Sequence, residues 1–345
     1  MSHNVEQAKL SSEYKSDDRF SSIYMDLLSE RLGGRVIACS DDWFAGAENM
    51  LKPGRGVFKE GLFVSTGKWM DGWESRRRRI PGHDHCILRL EARGIIDGVD
   101  INTSHFTGNH PPHASLEGCL SETDPGETTE WTEIIPKTAL DADSHNFFEV
   151  ASNERFNHLR LHIYPDGGVA RLRVYGQPQS AWQRQDPDGV HELSAITNGG
   201  QIIGYNDAHY GNPWVILAPG RGTDMGDGWE TRRRREPGND WIVVALGAKG
   251  IVERLEIDTA HFKGNYPDRC SVEAVTLTDQ DNTNLLEEAL AWQPLMGEQK
   301  LEMDRIHTFE GDVINAIGPV THLRLSIYPD GGVSRFRAFG KLDQA

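Results

Sequence analysis

At 345 residues the chain suits two domains better than a single core. A hydrophobic content of 37% excludes a disordered chain, and a net charge of −16 excludes a general nucleic-acid binder, which needs a basic footprint. Four cysteines (Cys39, Cys86, Cys119, Cys270) at irregular spacings fit neither a zinc site nor a disulfide framework; they suit a reducing compartment.

Residues 1–18 are polar, read as frayed, and lack the apolar stretch of a signal peptide. Ile23, Leu27, Leu28 and Leu32 have helical spacing, and the pattern predicts a short helix over 22–32 ended by Gly33-Gly34. Residues 1–32 are therefore expected as an N-terminal segment. A first repeat, 33–176, opens on Gly33-Gly34-Arg35-Val36-Ile37-Ala38 and Asp41-Asp42-Trp43-Phe44. Next comes Asp71-Gly72-Trp73-Glu74-Ser75-Arg76-Arg77-Arg78-Arg79, closed by Pro81-Gly82 and Asp84. The apolar run Cys86–Leu90 predicts a buried strand, and Asn102-Thr103-Ser104-His105-Phe106-Thr107-Gly108-Asn109-His110-Pro111 reads as a loop. The repeat ends on two alternating stretches around Tyr164-Pro165-Asp166-Gly167-Gly168, which predict a hairpin with Asp166 serving its turn. Leu172 and Val174 would face one way, and Arg171, Arg173 and Tyr175 the other.

The polar stretch 177–192, with Pro178, Pro187 and Gly189, reads as a linker. A second repeat, 193–345, then restates the first: Gly199-Gly200 with Asp207, Asp227-Gly228-Trp229-Glu230-Thr231-Arg232-Arg233-Arg234-Arg235, and the run Trp241–Leu246. It continues with Asp258-Thr259-Ala260-His261-Phe262-Lys263-Gly264-Asn265 and Tyr328-Pro329-Asp330-Gly331-Gly332. The Arg segments lie 227 − 71 = 156 residues apart, too long a period for a solenoid unit, so this is a duplicated domain. Many short strands predict a β-sandwich or jelly roll in each half; helical periodicity returns only at Leu285–Leu290. Trp241–Leu246, the longest apolar run, is too short to span a bilayer, so a cytoplasmic protein with no membrane contact is expected.

The chemistry concentrates in the repeated segments. If Glu74–Arg79 is extended, Arg76 and Arg78 point one way and Arg77 and Arg79 the other, so one pair could face a cleft while the other meets carboxylates. Arg grips a carboxylate or ureido oxygen with two parallel N–H bonds, which Lys cannot do. A solvated, salt-bridged strand is the competing reading. His105 and His261 suit general acid–base work, and Asn109 and Asn265 suit an amide-like group, against loop anchoring as the alternative. Asp41 and Asp207 could be bases, metal ligands or caps. There is no H-E-x-x-H, and no P-loop or Rossmann fingerprint.

Taken together, the Ser40–Ala45 segment, the two Arg segments, the Asp258–Pro267 loop and the two Tyr-Pro-Asp-Gly-Gly turns resemble the allantoicase family, from about residue 20 to residue 340. The resemblance implies an all-β fold of two tandem jelly-roll β-sandwiches, similar to galactose-binding or discoidin-like modules, and a homo-oligomer. It implies a hydrolase acting on allantoate to give (S)-ureidoglycolate and urea in purine breakdown. On that footing Asp71, Glu74, His105, Asp227, Glu230 and His261 are the expected acid–base residues. Arg76, Arg77, Asn109, Arg232, Arg233, Asn265, Asp41 and Asp207 are the expected substrate contacts. No cofactor is certain, and the resemblance leaves open a divalent ion such as Mn²⁺ held by His and Asp. The rival is a non-catalytic tandem module binding a carbohydrate or small ligand, since sandwiches of this kind often only bind.

Overall fold

The structure is a computed structural model that describes residues 20, 24–179, 182, 186, 188–277 and 292–343. The frayed stretch at 1–18 and the helical pattern at 285–290 lie outside the described residues. The chain forms two compact units, divided between Gln179 and Ser180. Among the described residues helical turns are 3-10 only, and every ladder between strands is antiparallel. No described helix is long and apolar enough to cross a membrane.

In the first unit the organising element is a 19-residue strand, Asp84–Asn102. Its first half alternates, with Cys86, Leu88, Leu90 and Ala92 buried and the residues between them turned outward, as a half-buried strand requires. Arg155–Tyr164 pairs with that half and Arg171–Pro178 with the other, the first ladder breaking between Arg89 and Gly94. One strand therefore serves both ends of the sandwich. Arg35–Cys39 and Phe147–Glu149 add to it on either side, and His113–Cys119 and Thr132–Ala139 extend the sheet beyond Arg155–Tyr164. Leu116, Leu159, Leu161, Ile163, Leu172 and Val174 complete the core, each worth roughly 1.5–3 kcal/mol of burial. The second unit repeats the plan around Asp240–Asp258, flanked by Val320–Tyr328 and Arg335–Leu342.

Two expectations are corrected. Among the described residues of the expected helix, 24–32 give no α-helix: Met25–Asp26 pairs with Arg171–Pro178, and Glu30–Leu32 is a single 3-10 turn. Leu27, Leu28 and Leu32 are buried all the same, and the Asp26 carboxylate accepts from the Leu28 and Val174 N–H groups. A segment this short gains more from a ladder than from nucleating a helix. The Tyr-Pro-Asp-Gly-Gly segments also make no hairpin, because the strands on either side flank the long strand instead of pairing. The connection forms an arch, with Gly168–Val169 on Trp73–Glu74 and Gly332–Val333 on Trp229–Glu230.

In one loop the first repeat is the longer. Asp71 stands fifteen positions after Gly56 (71 − 56), whereas Asp227 stands five after Gly222 (227 − 222). The extra ten make a small hairpin, Phe63–Val64 with Gly67–Lys68, whose apolar side chains are exposed.

Candidate active site

The arch explains why the Arg segments fold as they do. Trp73 and Trp229 are fully buried, and each indole N–H donates 2.8 Å to a main-chain oxygen, Asp41 O or Asp207 O. Each Trp-Glu pair is held between the arch and the loop after the first strand, by bridges Ala45–Glu74 and Tyr210–Glu230. The arginines that follow leave the ladder at one end of their sandwich.

Five carboxylates surround each run. Asp166 and Asp330, expected to serve their own turns, accept the Arg78 and Arg234 N–H groups at 2.8 Å. The Arg78 guanidinium meets Asp84 at 2.6 Å, and Arg234 meets Asp240 through two nitrogens at 3.1 and 2.7 Å. Asp41 accepts the Arg76 main-chain N–H at 2.9 Å and its Nε at 2.7 Å. Burial would raise the Asp41 carboxyl, but the Arg76 guanidinium and the Arg76 and Trp43 N–H groups hold it below the ordinary value. Asp71 and Asp227 are buried against the buried Arg171 and Arg335, at 2.6 and 3.0 Å. Burial would raise Asp71 too, and Arg171, the Val57 N–H and Lys52 bring it down. The fifth carboxylates, Glu74 and Glu230, are half-buried.

Asn109 and Asn265 reach those glutamates: the Asn109 amide donates to Glu74 Oε1 at 2.7 Å, and Asn265 makes the same bond to Glu230 Oε1. Burial raises the Glu74 carboxyl above its ordinary range, and the single Asn109 bond only partly opposes this. His105 and His261 both adopt φ of 69°, held by N–H bonds to Asp143 and Asp304 at 2.6 and 2.8 Å. Their Nε2 atoms lie 3.1 Å from Gly56 O and 2.8 Å from Gly222 O, so each ring donates to a backbone carbonyl and ties down the loop beside Asp71 or Asp227. The asparagine joins the glutamate, whereas the histidine joins the loop. Arg77, Arg79, Arg233 and Arg235 are exposed and make no hydrogen bond or ion pair among the described residues. Asp207 and Arg232 to Arg235, with Glu236 and Asp240, line a cleft of about 150 Å³.

No group of three or more His, Cys, Asp or Glu is arranged to hold a metal among the described residues. With the Nε2 of both His105 and His261 on a carbonyl, the residues present do not fit a Mn²⁺ site. Asp84, Asp166, Arg171 and their partners in the second unit were not expected to serve the site. Their positions inside each repeated segment were the available signal.

The fold and site define a duplicated jelly-roll protein that carries the same arginine, glutamate and asparagine loop set once per unit. The Allantoicase repeat model matches residues 25–179 and 191–343. The chain is 51% identical over 326 residues to Probable allantoicase 1 of Burkholderia mallei, covering 94% of this chain and 96% of that one. It is 51% identical over 322 residues to a Probable allantoicase of Pseudomonas savastanoi pv. phaseolicola, covering 93% and 97%. The crystal structure of allantoicase from Saccharomyces cerevisiae superposes with a TM-score of 0.75 at 36% identity, covering 92% of each chain. The chain belongs to the allantoicase family.

Proposed function

We propose that the protein hydrolyses allantoate to ureidoglycolate and urea in purine degradation, with the Glu–Asn pair transferring the proton and an arginine of the runs binding the carboxylate. The observation that carries this reading is the half-buried glutamate held by one asparagine amide, two positions before the arginine run, in a chain of this family.

The α-carbon of allantoate bears a carboxylate and two ureido groups. The protonated glutamate gives its proton to the nitrogen of the departing ureido group as the aminal C–N bond breaks. The lone pair of the remaining ureido nitrogen stabilises the carbon. Water adds there, and the glutamate takes the proton that water sheds, so one water is consumed, one urea leaves and a hydroxyl remains. A carboxyl group can both give and take this proton, as the exchange requires. Asp71 and Asp227 are spent on Arg171 and Arg335, and His105 and His261 hold the neighbouring loop, so these four support the site without touching the reacting atoms.

Urea release from allantoate by purified, chelator-treated protein, with and without added Mn²⁺, tests the reading. Urea without metal is expected. No urea under either condition would leave the rival, a module that only binds. We further propose a cytoplasmic homo-oligomer. Four free cysteines support the compartment, and the exposed Trp43, Phe63 and Ile80 support self-association, which light scattering would read.

A further inference from the structure

The two units carry the same arginine run but do not use its first member alike. In the first unit Asp41 Oδ2 takes both the Nε and the terminal nitrogen of Arg76, at 2.7 and 2.5 Å. The guanidinium also lies over the Trp43 ring, 5.3 Å from its centroid. The charge, the Nε, one terminal nitrogen and one face of Arg76 are therefore engaged within the protein, although the side chain stays 61% exposed.

The equivalent contact in the second unit is loose. Asp207 Oδ2 accepts the Arg232 main-chain N–H at 3.0 Å, but the Arg232 Nε stands 3.5 Å away. His209 replaces Trp43 and packs edge-on against Tyr210, ring centroids 4.3 Å apart. The two terminal nitrogens of Arg232 have no partner among the described residues, and its side chain lines the cleft of about 150 Å³ with 68% exposure. Arg233 and Arg235 line the same cleft without partners. Asp207 holds the Nε side of Arg232 and leaves the terminal fork for a planar anion, the arrangement in which Arg binds a carboxylate through two parallel bonds.

We propose that the substrate carboxylate is bound in the second unit only, by the terminal fork of Arg232, and that Arg76 is a clamp on Asp41 and Trp43. The assignment rests on the reading of the protein as an allantoate hydrolase, and it implies one allantoate per chain where the duplication alone would give two.

Urea-release kinetics on Arg232→Ala, Arg232→Lys and Arg76→Ala test it, with thermal melts of each. Losing a charged two-bond contact is expected to raise KM for allantoate about 10- to 100-fold in Arg232→Ala. Arg232→Lys keeps the charge but not the fork, and is expected to stay about tenfold weak. Arg76→Ala is expected to lower the melting temperature and keep kcat/KM within about twofold of the parent. Equal losses at Arg76 and Arg232, or a loss at Arg76 alone, overturn the assignment. Calorimetric titration of allantoate into Glu230→Gln reads binding without turnover, so it still decides the point if the parent releases no urea. One site per chain, abolished by Arg232→Ala, is expected; two sites, or one that survives the substitution, overturn it.

Discussion

Glu74 and Glu230 show how little separates a structural carboxylate from a reactive one. Asp71 and Asp227 each face a buried arginine and are neutralised, whereas each glutamate meets one uncharged amide. Glu230→Gln is therefore expected to keep its fold and lose about 10²- to 10⁴-fold in kcat, read by urea release. Retention of wild-type turnover would remove Glu230 from the chemistry. His322 carries a different consequence. Burial pushes its imidazolium down to about 4 from 6.5, with only the neighbouring Thr321 hydroxyl at 2.8 Å as a partner. The unfolded chain then binds the proton that the folded chain refuses, so this stability is present above 6.5 and lost as pH falls through 4. Urea denaturation at about pH 7 and about pH 4.5 should show the parent losing roughly 2–3 kcal/mol more than His322→Gln. Equal losses would mean that His322 titrates normally.

At the level of elements, the arch and the His-Phe loop form one unit of construction. The Asn265 carbonyl accepts the Gly332 N–H at 2.7 Å, and the Phe262 ring lies against Gly332 so closely that a Cβ there would meet Cδ1 at 2.0 Å. No rearrangement of a flexible tip relieves that contact, because Phe262 is fully buried. Gly332→Ala is expected to cost about 1–3 kcal/mol or more of stability. It should also displace Asn265 from Glu230, visible as a lower melting temperature together with lower turnover. A melt unchanged from the parent would show the packing to be looser than described. The same elements mark what could be read from the chain alone. The short apolar run Cys86–Leu90 and the paired repeats made the all-β sandwich legible, because a strand-length apolar run is a local property. The arch was not legible, since two alternating strands around Pro-Asp-Gly-Gly look the same whether they pair with each other or with a third strand. Nor was the link from Asp41 to Arg76, 35 residues apart, because only the fold brings them together. The run's alternation foretold that one arginine pair would meet carboxylates, but not that Asp207 would hold Arg232 so loosely.

The whole chain carries −16, yet its substrate is an anion. Uniform repulsion would make catalysis improve with salt, whereas a local cluster of unpaired arginines does the reverse. Arg232, Arg233 and Arg235 line one cleft, and salt screens such a cluster over a Debye length of about 8 Å at physiological ionic strength. KM for allantoate is therefore expected to rise about two- to fivefold as NaCl is raised from roughly 20 to 300 mM, at nearly constant kcat. A KM that falls with salt would show the net charge to dominate.

Duplication has also placed a natural optical probe in each half. Trp73 and Trp229 are equally buried, and each indole is tied to the main-chain oxygen of the aspartate that meets the first arginine of its run. Trp73→Phe and Trp229→Phe would each remove one of the nine tryptophans, so that difference spectra against the parent report on one loop at a time while the molecule works.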